Sequence, residues 1–102
     1  MFRVRSIHTD SGFTMVSIVD EDVLGRVEKD DARGIVINID PRFYDGARLG
    51  EPDAIKAMST HDIIILAGER AVELGIELGL VNPESVLEVN GLKYVQIVKS
   101  YY

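Results

Sequence analysis

The apolar positions of this chain change period several times, and the changes mark its elements. In residues 2–8, "FRVRSIH", Phe2 and Val4 alternate with Arg3 and Arg5, which predicts a strand with one wet face. A second β-rich run covers residues 12–19, after the turn-forming cluster "TDSG". Its core, "FTMVSIVD", is apolar on both faces and belongs nearer the middle of a sheet. The two runs read as an N-terminal hairpin. In "DEDVLGR", Asp20 or Asp22 can cap a single helical turn that Gly25 ends. "EKDDARG" is polar and reads as a solvated loop. Residues 34–40, "GIVINID", form a third strand with Ile35, Ile37 and Ile39 on one face, and Pro41 ends it. "RFYDGARLGEP" reads as a loop around an Asp-Gly turn.

Helical spacing takes over further on. Pro52 is a good first-turn residue for a short helix over Asp53–Met58. "IIILA" fits a buried strand or a helix lead-in, and its β-branched run favours the strand. From Glu69 to about Leu78 the pattern is amphipathic, with Glu69, Arg70, Glu73 and Glu77 on the wet side. Gly79 is placed to close that helix, with Leu80 packing back. The last hairpin is nearly explicit in "SVLEVNGLKYVQIV". A two-residue Asn-Gly turn pairs Val89 with Leu92, Glu88 with Lys93, and Leu87 with Tyr94. That register sets apolar residues opposite apolar ones and opposite charges opposite each other. The order ββ-β-α-β-α-ββ predicts one compact domain over residues 1–102. Its class is α+β: a two-layer sandwich of a mostly antiparallel sheet and two helices, not a doubly wound fold.

Composition narrows the function. A chain of 102 residues with 46% hydrophobic and 27% charged residues can bury a core. It has no cysteine, so no disulfide framework and no thiolate chemistry. The longest apolar run, Ile63 to Gly68, is far short of a bilayer span, and "MFRVRSIHTDSG" lacks a signal-peptide core. These features fit a cytoplasmic protein with no membrane partner. The net charge of −6 argues against naked nucleic acid as the ligand, because phosphate binding rests on Lys and Arg. Arg3, Arg5, Arg26, Arg33, Arg42 and Arg48 all lie in the first half, which leaves room for a local basic face.

Two places carry candidate chemistry. At "LAGERAVELG", Gly68 opens a helix whose free amides would suit an anion. The turn has a single glycine, however, and Glu69, Glu73 and Glu77 set negative charge on the same side, with Arg70 as the one nearby cation. A packed helix start is the better reading. At "RFYDG", an arginine beside aromatics in a loop can form a recognition surface. The bland alternative has Phe43 packed under the loop, Asp45-Gly46 making the turn and Tyr44 half buried; Phe43 is expected to follow it, while Tyr44 and Arg42 stay open between the two. His8 and His61 are too far apart in sequence for a close-spaced metal pair, and the acidic clusters Asp20-Glu21-Asp22 and Asp30-Asp31 read as solvated charge. No metal or cofactor is expected.

Taken together, "DEDVLGR", "FYDG", "GERAVELGIELGLV" and "NGLKYVQIV" resemble a family of short archaeal proteins, domain-of-unknown-function family 424. The resemblance covers almost the whole chain. It implies a compact α+β domain, no assigned activity, no catalytic residues, and an association with translation. The chain departs from the family pattern at Ile65, where the pattern has Asn, and at Lys93-Tyr94-Val95-Gln96, where it has Pro-His-Ala-Gln. Gln96 is the shared residue of that stretch.

The expectation is a non-catalytic binding or adaptor module with a protein or ribonucleoprotein partner. Its contact surface is drawn from Arg42, Tyr44, Asp45 and Gly46. The alternative is a small-ligand site or enzyme joining Gly68, Glu69 and Arg70 to the strand that carries Gln96. A homodimer through an open sheet edge or the Tyr101-Tyr102 tail is a third arrangement.

Overall fold

The structure is a computed structural model that describes residues 1–99. The alternation at the N-terminus forms β1 (Phe2–His8) and β2 (Thr14–Asp20), paired antiparallel from Phe2 opposite Asp20 to His8 opposite Thr14. A single 3-10 turn (Glu21–Val23) leads into β3 (Val27–Asp30), which pairs antiparallel with β4 (Ile35–Asn38). A one-turn helix, α1 (Pro41–Tyr44), and a short strand, β5 (Ala47–Leu49), follow. Then come α2 (Glu51–Thr60), β6 (Ile63–Ala67), α3 (Glu69–Glu77), β7 (Leu87–Val89) and β8 (Leu92–Val98).

Six strands make one sheet in the order β5-β1-β2-β6-β8-β7. Among the described residues only the β2–β6 pair is parallel, and its neighbours are antiparallel. The sheet is therefore mostly antiparallel, as the element order predicts, and the protein is α+β. The doubly apolar β2 lies between β1 and β6, with Val16, Ile18 and Val19 fully buried. "IIILA" is a strand. The Asn-Gly hairpin has the predicted register at all three pairs.

One face of the sheet holds α2 and α3. Ala54 and Met58 of α2 and Ala71, Val72 and Leu74 of α3 pack against Val16, Ile18, Ile64, Leu66 and Val95. Gly79, in the left-handed region at φ 73°, ends α3, and Leu80 returns to this core, as predicted. Apolar burial of this kind contributes roughly 1.5–3 kcal/mol for each large side chain.

The other face is covered at one end only. Ile37 and Ile39 join Val19, Val23, Ala67, Val89 and Leu92 in a second, smaller core. The β3–β4 hairpin and α1 thus form a partial third layer that the order of elements did not foretell. The polar "EKDD" is half of that hairpin and not a free loop. Arg26 and Arg33 hold the carboxylates of Glu28 and Asp30, which lets a charged segment lie in a strand.

Candidate functional site

The start of α3 is built from β2. Asp20 ends that strand, and its carboxylate accepts hydrogen bonds from the main-chain N–H of Arg70 and of Ala71, both at 2.8 Å. This interaction spans fifty residues of sequence and occupies the two amides an anion would use. Gly68 makes room for it. Its φ is +102°, and a β-carbon there would overlap the Asp20 carboxyl group. Asp20 occupies the N-cap position of the turn Glu21–Val23, as the sequence suggests, but makes no side-chain cap bond there. Its carboxyl is not solvated either. Burial raises its pKa, and the two amide hydrogen bonds act in the opposite direction.

An open cleft of about 430 Å³ borders this helix start, lined by Met1, Phe2, Asp20, Glu21, Asp22, Glu69, Arg70 and Glu73. Several of its charges are already paired, mostly with residues beyond the lining. Arg70 reaches Glu51 at 2.7 Å, Glu73 at 3.3 Å and Glu77 at 3.4 Å, and Glu69 meets Lys93 at 3.1 Å. Gln96 is elsewhere. It is paired with Ile65 on β8, on the sheet face away from α3. The structure therefore does not bring Gln96 together with Gly68, Glu69 and Arg70.

The "RFYDG" segment is organised differently from the expected loop. Asp40 caps α1 by accepting from the Arg42 N–H at 2.9 Å, and the Arg42 guanidinium returns to the same carboxylate at 2.7 Å. The guanidinium holds the Asp40 carboxyl below its ordinary range and is itself raised by the carboxylate. Arg5 fixes the turn from below by donating to the Arg42 carbonyl at 2.6 Å. Asp45 sits 3.6 Å from Arg3. A β-carbon on Gly46 would overlap the Val4 carbonyl, so glycine lets this chain pass against β1. Asp45 and Gly46 thus support the platform from beneath.

The aromatics on the platform reverse one expectation. Phe43 does not pack under the loop; it is 63% exposed, and the Arg42 guanidinium lies 5.8 Å from its ring centroid. A one-turn helix offers only one face to the sheet, and Tyr44 takes it. Tyr44 is half buried and lines a groove of about 300 Å³ with Val36, Ile37, Asn38, Leu87 and Tyr94. Burial, then hydrogen bonding to Tyr44, pushes the Tyr94 phenol up to about 12. Gln96 follows Tyr94 on the same face of β8. Ile65, where the chain departs from the family pattern, is its cross-strand partner.

The sequence thus named the parts of this surface but grouped them wrongly. Tyr44, Arg42 and Gln96 share the sheet face opposite α3, while Gly68, Glu69 and Arg70 stand on the other side. Phe43, Tyr94 and Val36 were missed. The exposure of Val36 was signalled by the one-sided isoleucine run beside it. His61 bonds the Ala57 carbonyl one helical turn back at 2.8 Å and the Ser6 hydroxyl of β1 at 2.6 Å. The Tyr101-Tyr102 tail lies outside the described residues.

The comparisons agree with this architecture. The family model described as "Protein of unknown function (DUF424)" matches residues 7–100, and the chain belongs to that family. A crystal structure of an uncharacterized conserved protein from Methanopyrus kandleri has the same fold. Its TM-score is 0.71 at 24% identity, over 99% of this chain and 96% of that one. No curated protein matches the chain.

Proposed function

We propose that this protein is a non-catalytic binding module of the cytoplasm, with α1 and the adjoining groove as its contact surface. The reading extends to a protein or ribonucleoprotein partner, in translation or another RNA-protein assembly. One observation carries it: Phe43 is held 63% exposed on a capped, ion-paired turn, next to a groove lined by two tyrosines. An aromatic mounted in this way contributes nothing to the core. Exposed aromatics next to arginine are the side chains that dominate protein interfaces. The net charge of −6 disfavours naked nucleic acid.

The cleft at α3 supports the small-ligand alternative less well, because Asp20 already holds the helix amides. The test is affinity capture from a lysate of the source cells, with and without ribonuclease, comparing wild type with Arg42→Ala plus Phe43→Ala. A stoichiometric partner lost in the double variant is the expected result. Loss after ribonuclease as well would make the partner a ribonucleoprotein. A partner retained by the double variant would move the contact surface elsewhere.

A further inference from the structure

The second, two-stranded sheet has a free edge, and that edge faces the groove. Among the described residues β3 and β4 pair only with each other. Ile39 donates to the Arg26 carbonyl at 2.9 Å, which fixes which residues of β4 bond to β3. Antiparallel pairs alternate between hydrogen-bonded and non-hydrogen-bonded, so Ile35, Ile37 and Ile39 turn their main-chain groups toward β3. Val36 and Asn38 turn theirs away. Both residues line the groove together with Tyr44, Leu87 and Tyr94.

The sheet face beyond that edge carries an apolar row at its far end and, nearer the groove, the mixed row Arg5, Ser17, Ile65 and Gln96. Ile7, Met15, Ile63 and Val98 form a continuous cross-strand row, and Ile65 stands in the next row between Ser17 and Gln96. Ile7 is 40% and Val98 66% exposed. The hairpin covers Val19, Ala67 and Leu92 and stops there. One more strand beside β4 would satisfy the outward main-chain groups of Val36 and Asn38. It would also lay alternate side chains on Tyr94 and Ile65.

The other edges lack this combination. β5 is three residues long, and its middle residue, Arg48, is tied to Glu21. β7 lies beside the hairpin, where Arg33 donates to the Glu88 carbonyl at 2.8 Å.

We infer that the groove takes an extended peptide segment of a partner protein, which adds as a third strand to β4 and sets aliphatic or aromatic side chains over Tyr94 and Ile65. The inference rests on the binding-module reading and names its partner's chemistry. Main-chain hydrogen bonds supply affinity in such strand addition, and the pockets beneath alternate residues supply specificity.

The probe is a phage-displayed library of random 12-residue peptides, selected on the full chain. Enriched peptides should alternate apolar residues, and on binding the Val36 and Asn38 amides should become protected from hydrogen exchange. Val36→Pro removes one outward donor and leaves the β3 pairing in place, so it should weaken such peptides tenfold or more with an unchanged circular dichroism spectrum. The same peptides N-methylated at alternate residues should lose binding in one methylation register and keep it in the other, which tests the edge without altering the protein. No enrichment, or enriched peptides indifferent to both N-methylation registers, would overturn the inference. So would a homodimer in sedimentation that Val36→Pro makes monomeric, because the edge would then belong to a second copy. A lysate partner that depends on Arg42 and Phe43 but not on Val36 would leave the binding-module reading standing and remove this one.

Discussion

At the residue scale, Asp20 and Gly68 are one device. The carboxylate satisfies two helix amides, and the glycine gives it the space and the left-handed backbone it needs. Removing the carboxylate with Asp20→Ala leaves a buried N–H group on Ala71 unpaired and should cost about 2 kcal/mol. Gly68→Ala should cost more, about 2–4 kcal/mol, because it adds positive-φ strain to the overlap with Asp20. The two should not add. Once Asp20 is alanine the overlap with its carboxyl group is gone and only its β-carbon still crowds position 68, so the second substitution costs less than it does in the wild type. Urea denaturation of both single variants and the double variant measures the coupling; strict additivity would refute the device. Ser17 gives a prediction of opposite sign. It is buried at the centre of the sheet, and its hydroxyl has no hydrogen-bond partner among the described residues. Ser17→Ala should therefore leave stability unchanged or raise it by up to about 1 kcal/mol, read as a rise in the urea midpoint.

At the element scale, what could be read from the sequence follows from how far each signal reaches. The β7–β8 register was legible because Asn-Gly, the alternation and the Glu88–Lys93 charges all act within a few residues. α3 was legible for the same reason. β3 was not, because its stabilising arginines are read as solvent exposure until the hairpin is closed. β5 and α1 were too short to show a period. The site shows the same division. Arg42 and Tyr44 stood out by composition, but their grouping with Gln96 depends on sheet order, which no local pattern encodes. Asp20's role depends on a contact fifty residues away. The Tyr44–Tyr94 contact, which joins α1 to β8, yields a test of this assembly. Tyr94 titrates at 10.0 unperturbed and at about 12 in the fold, so its stabilisation is full below pH 10 and is lost as pH rises through about 12. Tyr94→Phe removes that term, and its thermal midpoint should fall less steeply than that of wild type across this alkaline range. Parallel curves would mean that Tyr94 titrates alike in the folded and unfolded chains.

At the scale of the whole molecule, the acidic excess is arranged so that stability and charge are linked in two opposing ways. Hydrogen bonds from Arg48, Arg26, Arg33 and Arg42 lower the carboxyl pKa values of Glu21, Glu28, Asp30 and Asp40 respectively. Each contributes stability above its unfolded value, 4.5 for the glutamates and 3.8 for the aspartates, and loses it as pH falls through the lower folded value. Asp20 runs the other way. Burial raises its pKa above 3.8, so its contribution is full below that value and is lost as pH rises through the raised one. In the acid range the unfolded chain binds more protons at the four paired sites, and the folded chain binds more at Asp20. The four paired sites make the protein less stable as pH falls, and Asp20 opposes that slope. Asp20→Asn removes the blunting term while keeping one oxygen to accept from the α3 amides. Its stability should be lower at neutral pH, and its urea midpoint should fall more steeply than that of wild type between about pH 5 and pH 3. Equal slopes would show that Asp20 titrates alike in the folded and unfolded chains, and that its place under α3 costs the carboxylate nothing.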